Sequence, residues 1–107
     1  MNYKVEVTAK FKKQTRQLTR KYPSLKQELA ILFDTLITDP KQGIPIGHEC
    51  YKIRLAIESK GKGKSGGARI ITHLHITDTT IYLISIYDKS AQANISDKEI
   101  IALIKDI

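Results

Sequence analysis

Between Tyr51 and Arg69 the chain reads YKIRLAIESKGKGKSGGAR. In an extended segment Lys52 and Arg54 share one face, because side chains alternate with a period of two. Lys60, Lys62 and Lys64 follow, interleaved with glycines, and Arg69 opens the next extended run after Gly66-Gly67. Only Glu58 supplies a carboxylate between Lys52 and Arg69. Cations gathered on one sheet edge without acids repel one another, and a polyanion relieves that repulsion. The grouping implies a phosphate-binding surface with RNA or DNA as ligand. If the strands pair, side chains of like orientation lie about 5 Å apart across the ladder. Lys52, Arg54 and Arg69 then form a cradle for a phosphodiester. The competing reading is a solvated face with scattered ion pairs.

Further candidates are weaker. Tyr87-Asp88-Lys89 closes a later strand, at the expected sheet edge, and offers a phenol and an ammonium as proton donor and charge clamp. His73 and His75 share a strand face, as two metal ligands do, but a zinc site needs a third and usually a fourth donor at defined spacing. Only His48 and Cys50 remain as soft donors, so no metal site is expected and the histidines read as polar surface or proton-transfer groups. Gly63-Lys64-Ser65 resembles the end of a P-loop, yet Glu58 stands where the motif needs its first glycine, and the segment after it is strand-like. An ATPase is excluded. Cys50, the only cysteine, reads as a small buried apolar residue.

The 107 residues suit one domain spanning 1–107 with one modest core. Eighteen Lys and Arg against 11 Asp and Glu give a net charge of +7, which fits a nucleic acid or an acidic protein partner. A lone cysteine excludes an internal disulfide, and no apolar run reaches the roughly 20 residues of a membrane span. The start, Met1-Asn2-Tyr3-Lys4, lacks a signal peptide's apolar stretch. These features imply a soluble cytoplasmic protein without a membrane partner.

The positioning elements follow from periodicity. Tyr3 to Val7 alternates as a strand. Thr8 caps a helix with Phe11, Thr15, Leu18 and Tyr22 inward, and Pro23 ends it. Ser24 with Gln27 reads as a capping box for a second helix burying Leu25, Leu29, Leu32, Phe33, Leu36 and Ile37. Residues 42–47 read as a loop from their glycines and proline. Tyr51 to Ile57, Ala68 to Ile76 and Ile81 to Tyr87 read as three meandering strands. Ser96 and Glu99 open a last helix with Ile100, Ile101, Leu103, Ile104 and Ile107 inward. The expected fold is α+β: an N-terminal strand and a helical hairpin packed on a small, mostly antiparallel sheet, with a C-terminal helix.

Nearly the whole chain resembles the RelE/ParE toxin superfamily, within it the RelE-like and HigB-like messenger-RNA interferases of bacterial toxin–antitoxin modules. Gly43-Ile44-Pro45-Ile46-Gly47, Tyr51-Lys52-Ile53-Arg54-Leu55, Gly66-Gly67-Ala68-Arg69 and Ile81-Tyr82-Leu83 through Tyr87-Asp88-Lys89 carry the resemblance. It implies an endoribonuclease cutting mRNA, typically on the ribosome, and held inactive by a cognate antitoxin. The family's basic strand pair falls on Lys52 and Arg54, its next-strand arginine on Arg69 and its late basic position on Lys89. The position where some members carry a late tyrosine falls near Ile95, which leaves Tyr87 or a histidine as general acid or base. The implied chemistry needs no cofactor: a 2′-hydroxyl attacks the adjacent phosphorus. Arg69 and Lys89 are assigned to the phosphate and Arg54 to the leaving group or phosphate. Lys52 abstracts a proton only if crowding by cations favours its neutral form. Lys60, Lys62 and Lys64 are assigned to RNA binding. Two other readings stand beside this one, a ParE-like gyrase-inhibiting toxin and a non-catalytic RNA- or ribosome-binding module.

Overall fold

The computed structural model describes residues 2–61 and 63–107; Lys62 lies outside them. Strand β1 (Lys4–Val7) is followed by helices α1 (Ala9–Lys21) and α2 (Leu25–Thr38). Strands β2 (Ile44–Gly47) and β3 (Cys50–Leu55) come next, then a single 3-10 turn at Glu58–Lys60. Strands β4 (Ala68–His75) and β5 (Thr80–Asp88) and helix α3 (Asp97–Lys105) complete the chain. The sheet has the order β1-β5-β4-β3-β2, antiparallel except where β1 runs parallel to β5. No helix among the described residues is long and apolar enough to cross a membrane.

Each sheet face has its own apolar cover. On one face Ile53, Ile70, Leu74, Ile81, Leu83 and Ile86 pack with Phe11, Leu25, Leu29, Leu32 and Leu36 of the hairpin. On the other, Cys50, Ile71, Ile84 and Tyr87 meet Ile100 and Leu103 of α3. A bulge makes the second set possible. Ile71 pairs with Ser85 but Thr72 pairs with Leu83, so Ile84 is the extra residue on β5 and joins the α3 face.

Local chemistry explains most boundaries. The Thr8 hydroxyl accepts from the Phe11 amide at 3.2 Å and starts α1. The Ser96 hydroxyl accepts from the Glu99 amide at 3.1 Å and starts α3. Ser24 departs from its expected capping box. Its hydroxyl contacts Glu28 Oε1 at 3.2 Å and accepts from the Ser59 amide at 2.9 Å, tying α2 to the 3-10 turn.

Three other expectations are corrected. Residues 44–47 form an edge strand, where Pro45 is tolerated because an edge residue can lack a ladder donor. Strand β5 lies inside the sheet, since β1 takes the edge beside it. Ile101 on α3 and Ile107 just beyond its end are exposed, at 41% and 46%, because α3 rests on the sheet through the narrow stripe of Ile100 and Leu103.

Gly67 shapes the corner where the basic loop rejoins the sheet. A Cβ there would collide with the carbonyl of Leu55 and crowd the Cα of Ala56. Both are backbone atoms at the end of β3 and cannot swing aside. Gly67→Ala is expected to lower the unfolding free energy by about 1–3 kcal/mol, read from the urea midpoint.

Candidate nucleic-acid interface

The register of β3, β4 and β5 decides which candidates meet. Arg54 pairs with Arg69, and Arg69 pairs with Tyr87. Three side chains from three adjacent strands thus stand in one row on the α3 face of the sheet. Lys52 pairs with Ile71, two residues along β3 from Arg54 and on the same face. Like charges directly opposed on a ladder are destabilising unless something offsets them. Among the described residues the ion pairs are Lys60–Asp88 and His75–Asp78, so no carboxylate neutralises Lys52, Arg54 or Arg69.

Arg69 is only 4% exposed. Its guanidinium donates to the carbonyls of Lys64 at 2.8 Å, Ala68 at 3.1 Å and Ser65 at 3.2 Å. Carbonyl dipoles solvate a cation without cancelling its charge. Arg69 therefore holds the end of the lysine-glycine loop in place and keeps its full positive charge beside Arg54. Arg54 itself is exposed and Lys52 half-buried. Lys64 is exposed, and its carbonyl holds the Arg69 guanidinium.

Tyr87 is buried, and its hydroxyl has no hydrogen-bond partner among the described residues. A buried hydroxyl left unpaired costs about 1–3 kcal/mol. Burial raises the phenol's pKa, the Arg69 guanidinium pulls it back down, and the Glu99 carboxylate adds to the rise. The group holds its proton through the neutral range, so its available role is donor. Lys89 follows β5 with its amide on the Gly67 carbonyl at 3.0 Å and its ammonium on the Ala93 carbonyl at 3.0 Å. Half-buried, it borders the patch from the loop side. Ile95 packs against the α3 cluster as an apolar residue.

Lys60 is a correction. Its ammonium donates to Asp88 Oδ1 and to Ser90 Oγ at 2.7 Å, with side chains of Lys60 and Asp88 each 6% exposed. The Tyr22 hydroxyl donates to Asp88 Oδ2 at 2.9 Å, and the Ser90 amide donates to Oδ1 at 2.9 Å. Lys60 is thus committed to an internal lock and is not presented to RNA. Burial alone raises the Asp88 carboxyl's pKa, but the bonds from Lys60, Ser90 and Tyr22 outweigh it and hold it at about 2. The lock ties the start of the basic loop to α1 and β5, while Arg69 ties its end.

The histidines and Cys50 stand apart from this row. His73 lies four residues from Arg69 on β4, roughly 13 Å along the strand. Its Nδ1 is 3.5 Å from Cys50 Sγ, and burial lowers the imidazole's pKa. Burial, and then the Glu49 carboxylate, push the Cys50 thiol up to about 11. So little thiolate forms that iodoacetamide at pH 8 should label the folded protein at least about 100-fold more slowly than the urea-unfolded chain, followed by mass spectrometry. Equal rates would show an exposed, activated thiol. No cluster of His, Cys, Asp and Glu among the described residues is arranged to hold a metal ion.

The model of a family described as the RelE toxin of the RelE/RelB toxin–antitoxin system matches residues 3–106. Among solved structures, a free-state arginine-to-alanine mutant of the E. coli toxin RelE aligns with a TM-score of 0.63 at 16% identity, covering 99% of this chain and 94% of that one. The isolated E. coli RelE toxin gives 0.52 at 19% identity, covering 98% and 99%. The mutant toxin in complex with an antitoxin RelBc peptide gives 0.52 at 18% identity, covering 95% and 93%. At these identities the likeness establishes a shared fold.

Proposed function

The chain belongs to the RelE toxin family, and from that premise we propose that it is an endoribonuclease toxin that cleaves mRNA on the ribosome and is neutralised by a cognate antitoxin in the cytoplasm. The observation that carries the nuclease reading is the register row Arg54, Arg69, Tyr87, whose two guanidinium groups have no carboxylate partner among the described residues. The antitoxin is supported by the family's description and by the RelE structure solved with an antitoxin peptide.

The residues divide the reaction as follows. The RNA 2′-hydroxyl attacks the adjacent phosphorus, its proton passing to a base, and the bond to the 5′-oxygen breaks. The products are a 2′,3′-cyclic phosphate and a 5′-hydroxyl. Negative charge gathers on the phosphoryl oxygens in the transition state. Arg54 and Arg69 lie side by side where that charge develops, and each fixed donor supplies on the order of 3–4 kcal/mol. Tyr87 is the proton donor for the departing 5′-oxygen, since its phenol stays protonated beside Arg69. Lys89 and Lys64 hold the flanking phosphates, and Lys52, two residues along β3 from Arg54 on the same face, is the candidate to take the 2′-hydroxyl proton. The separation along β4 removes His73 and His75 from this role.

A cell-free translation reaction with a defined message tests the reading. Primer extension should reveal new 5′ ends within the coding region, absent when Arg54→Ala protein is added. Blocked translation with intact message would make the protein a binding module. Unaffected translation with inhibited gyrase would make it a ParE-like poison.

A further inference from the structure

Tyr87 reaches the cationic row only because β5 carries its bulge. Ahead of the bulge the odd-numbered residues Ile81 and Leu83 face the helical hairpin. The extra residue at Ile84 reverses that parity, so Ile86 turns to the hairpin and Tyr87 to α3. In an unbulged register Arg69 would stand opposite Ile86, and the Tyr87 phenol would lie under the hairpin on the far face of the sheet. Ile86 and Tyr87 are both large enough to fill either core, so apolar burial separates the two registers poorly.

A polar side chain of α1 separates them well. Strand β1 pairs with β5 only from Thr80 to Leu83, and the chain then leaves the sheet as α1. Beyond that point the Ile86 amide donates to Gln14 Oε1 at 3.0 Å. A one-residue slip sends the amides of a strand to its opposite edge as well as its side chains to the opposite face. Gln14 therefore accepts from Ile86 in the bulged register alone. Tyr22, which closes α1, donates to Asp88 Oδ2 at 2.9 Å. The hairpin thus grips the residues on both sides of Tyr87, from the face of the sheet opposite its phenol.

We propose that Gln14 is a positioning residue, whose bond to the Ile86 amide selects the bulged register and so sets the Tyr87 phenol beside Arg69. It lies across the sheet from the cationic row and acts through the β5 backbone. That this placement serves proton donation to the departing 5′-oxygen rests on the ribonuclease reading; the choice of face does not. The role asks the side chain for one acceptor at the right reach. Glutamate supplies it, asparagine is a methylene too short, and leucine fills similar space without it.

The test compares Gln14→Leu, Gln14→Asn and Gln14→Glu with the wild type, each as the whole chain. Single-turnover cleavage of a ribosome-bound message should slow roughly ten-fold or more in the leucine and asparagine proteins. The half-saturating concentration should stay within about two-fold, and glutamate should restore the rate to within about three-fold. By NMR, the Ile86 amide should exchange roughly ten-fold or more faster in the two deficient proteins while the Ile53 amide keeps its protection. Contacts between the Tyr87 ring and the Ile100 and Leu103 methyls should weaken in the same two proteins and persist with glutamate. If the leucine protein does not fold, the asparagine protein gives the same comparison. Wild-type rates in both deficient proteins, a loss that glutamate does not rescue, or unchanged Tyr87 contacts would overturn the proposal. A wild type that cuts no message sinks the ribonuclease reading instead, and the NMR comparison still decides whether Gln14 sets the face of Tyr87.

Discussion

Replacing Arg54 by alanine is expected to lower the rate of RNA cleavage by roughly 10²–10³-fold and leave the unfolding free energy within about 0.5 kcal/mol of wild type. The two halves of that expectation have separate causes. Arg54 is exposed and makes no ion pair among the described residues, so the fold loses little when it goes. Removing it even relieves the repulsion with Arg69 across the ladder. In the proposed reading its charge serves the RNA alone. Arg69 behaves differently because its guanidinium also holds three backbone carbonyls. Arg69→Ala should lose activity by a similar factor and also destabilise the protein, since those carbonyls lose their donor. Single-turnover cleavage beside urea unfolding distinguishes the two residues. An Arg54→Ala protein with full activity would remove the row from the chemistry.

The largest stability effect is expected at Asp88. Asp88→Asn should cost about 3–5 kcal/mol, because it leaves the Lys60 ammonium buried without its counter-charge. The double change Lys60→Met/Asp88→Leu should recover much of that loss, as apolar replacements of buried pairs often do. Acid tests the same network. An ordinary Asp titrates near pH ~3.9, and in the folded protein Asp88 titrates at about 2. Its contribution is therefore complete above the unfolded value and is lost as pH falls through the folded one. Between about pH 4 and pH 2 the wild type should lose about 2 kcal/mol from this group. Urea midpoints at several acid pH values should show that extra loss in the wild type and not in Asp88→Asn. Identical acid sensitivity in both would mean that the lock carries no charge-dependent stability.

The parts of the fold visible in sequence were those governed by short-range periodicity. Tyr51, Ile53, Leu55 and Ile57 alternate with Lys52 and Arg54, and the helices show their stripes and their Thr8 and Ser96 caps. Features set by long-range choices were not visible. Nothing near Tyr3 says that β1 joins β5 in parallel, and Pro45 reads as a loop until the strand proves to be an edge. The same division holds for the candidate site. Arg54 and Arg69 were legible as neighbours because hairpin strands pair locally. Lys60 looked like another ligand-facing lysine because its partner, Asp88, lies 28 residues away. The unpaired Tyr87 hydroxyl was equally invisible, since burial depends on where α3 comes to rest.

The measurement closest to the central claim is the chemical identity of the new RNA ends, read by mass spectrometry on a message cleaved in the presence of a chelator. Attack by the neighbouring 2′-hydroxyl, stabilised by Arg54 and Arg69, predicts a 2′,3′-cyclic phosphate on one fragment and a 5′-hydroxyl on the other. Fragments bearing a 5′-phosphate and a 3′-hydroxyl, or cleavage that stops when divalent ions are removed, would contradict it.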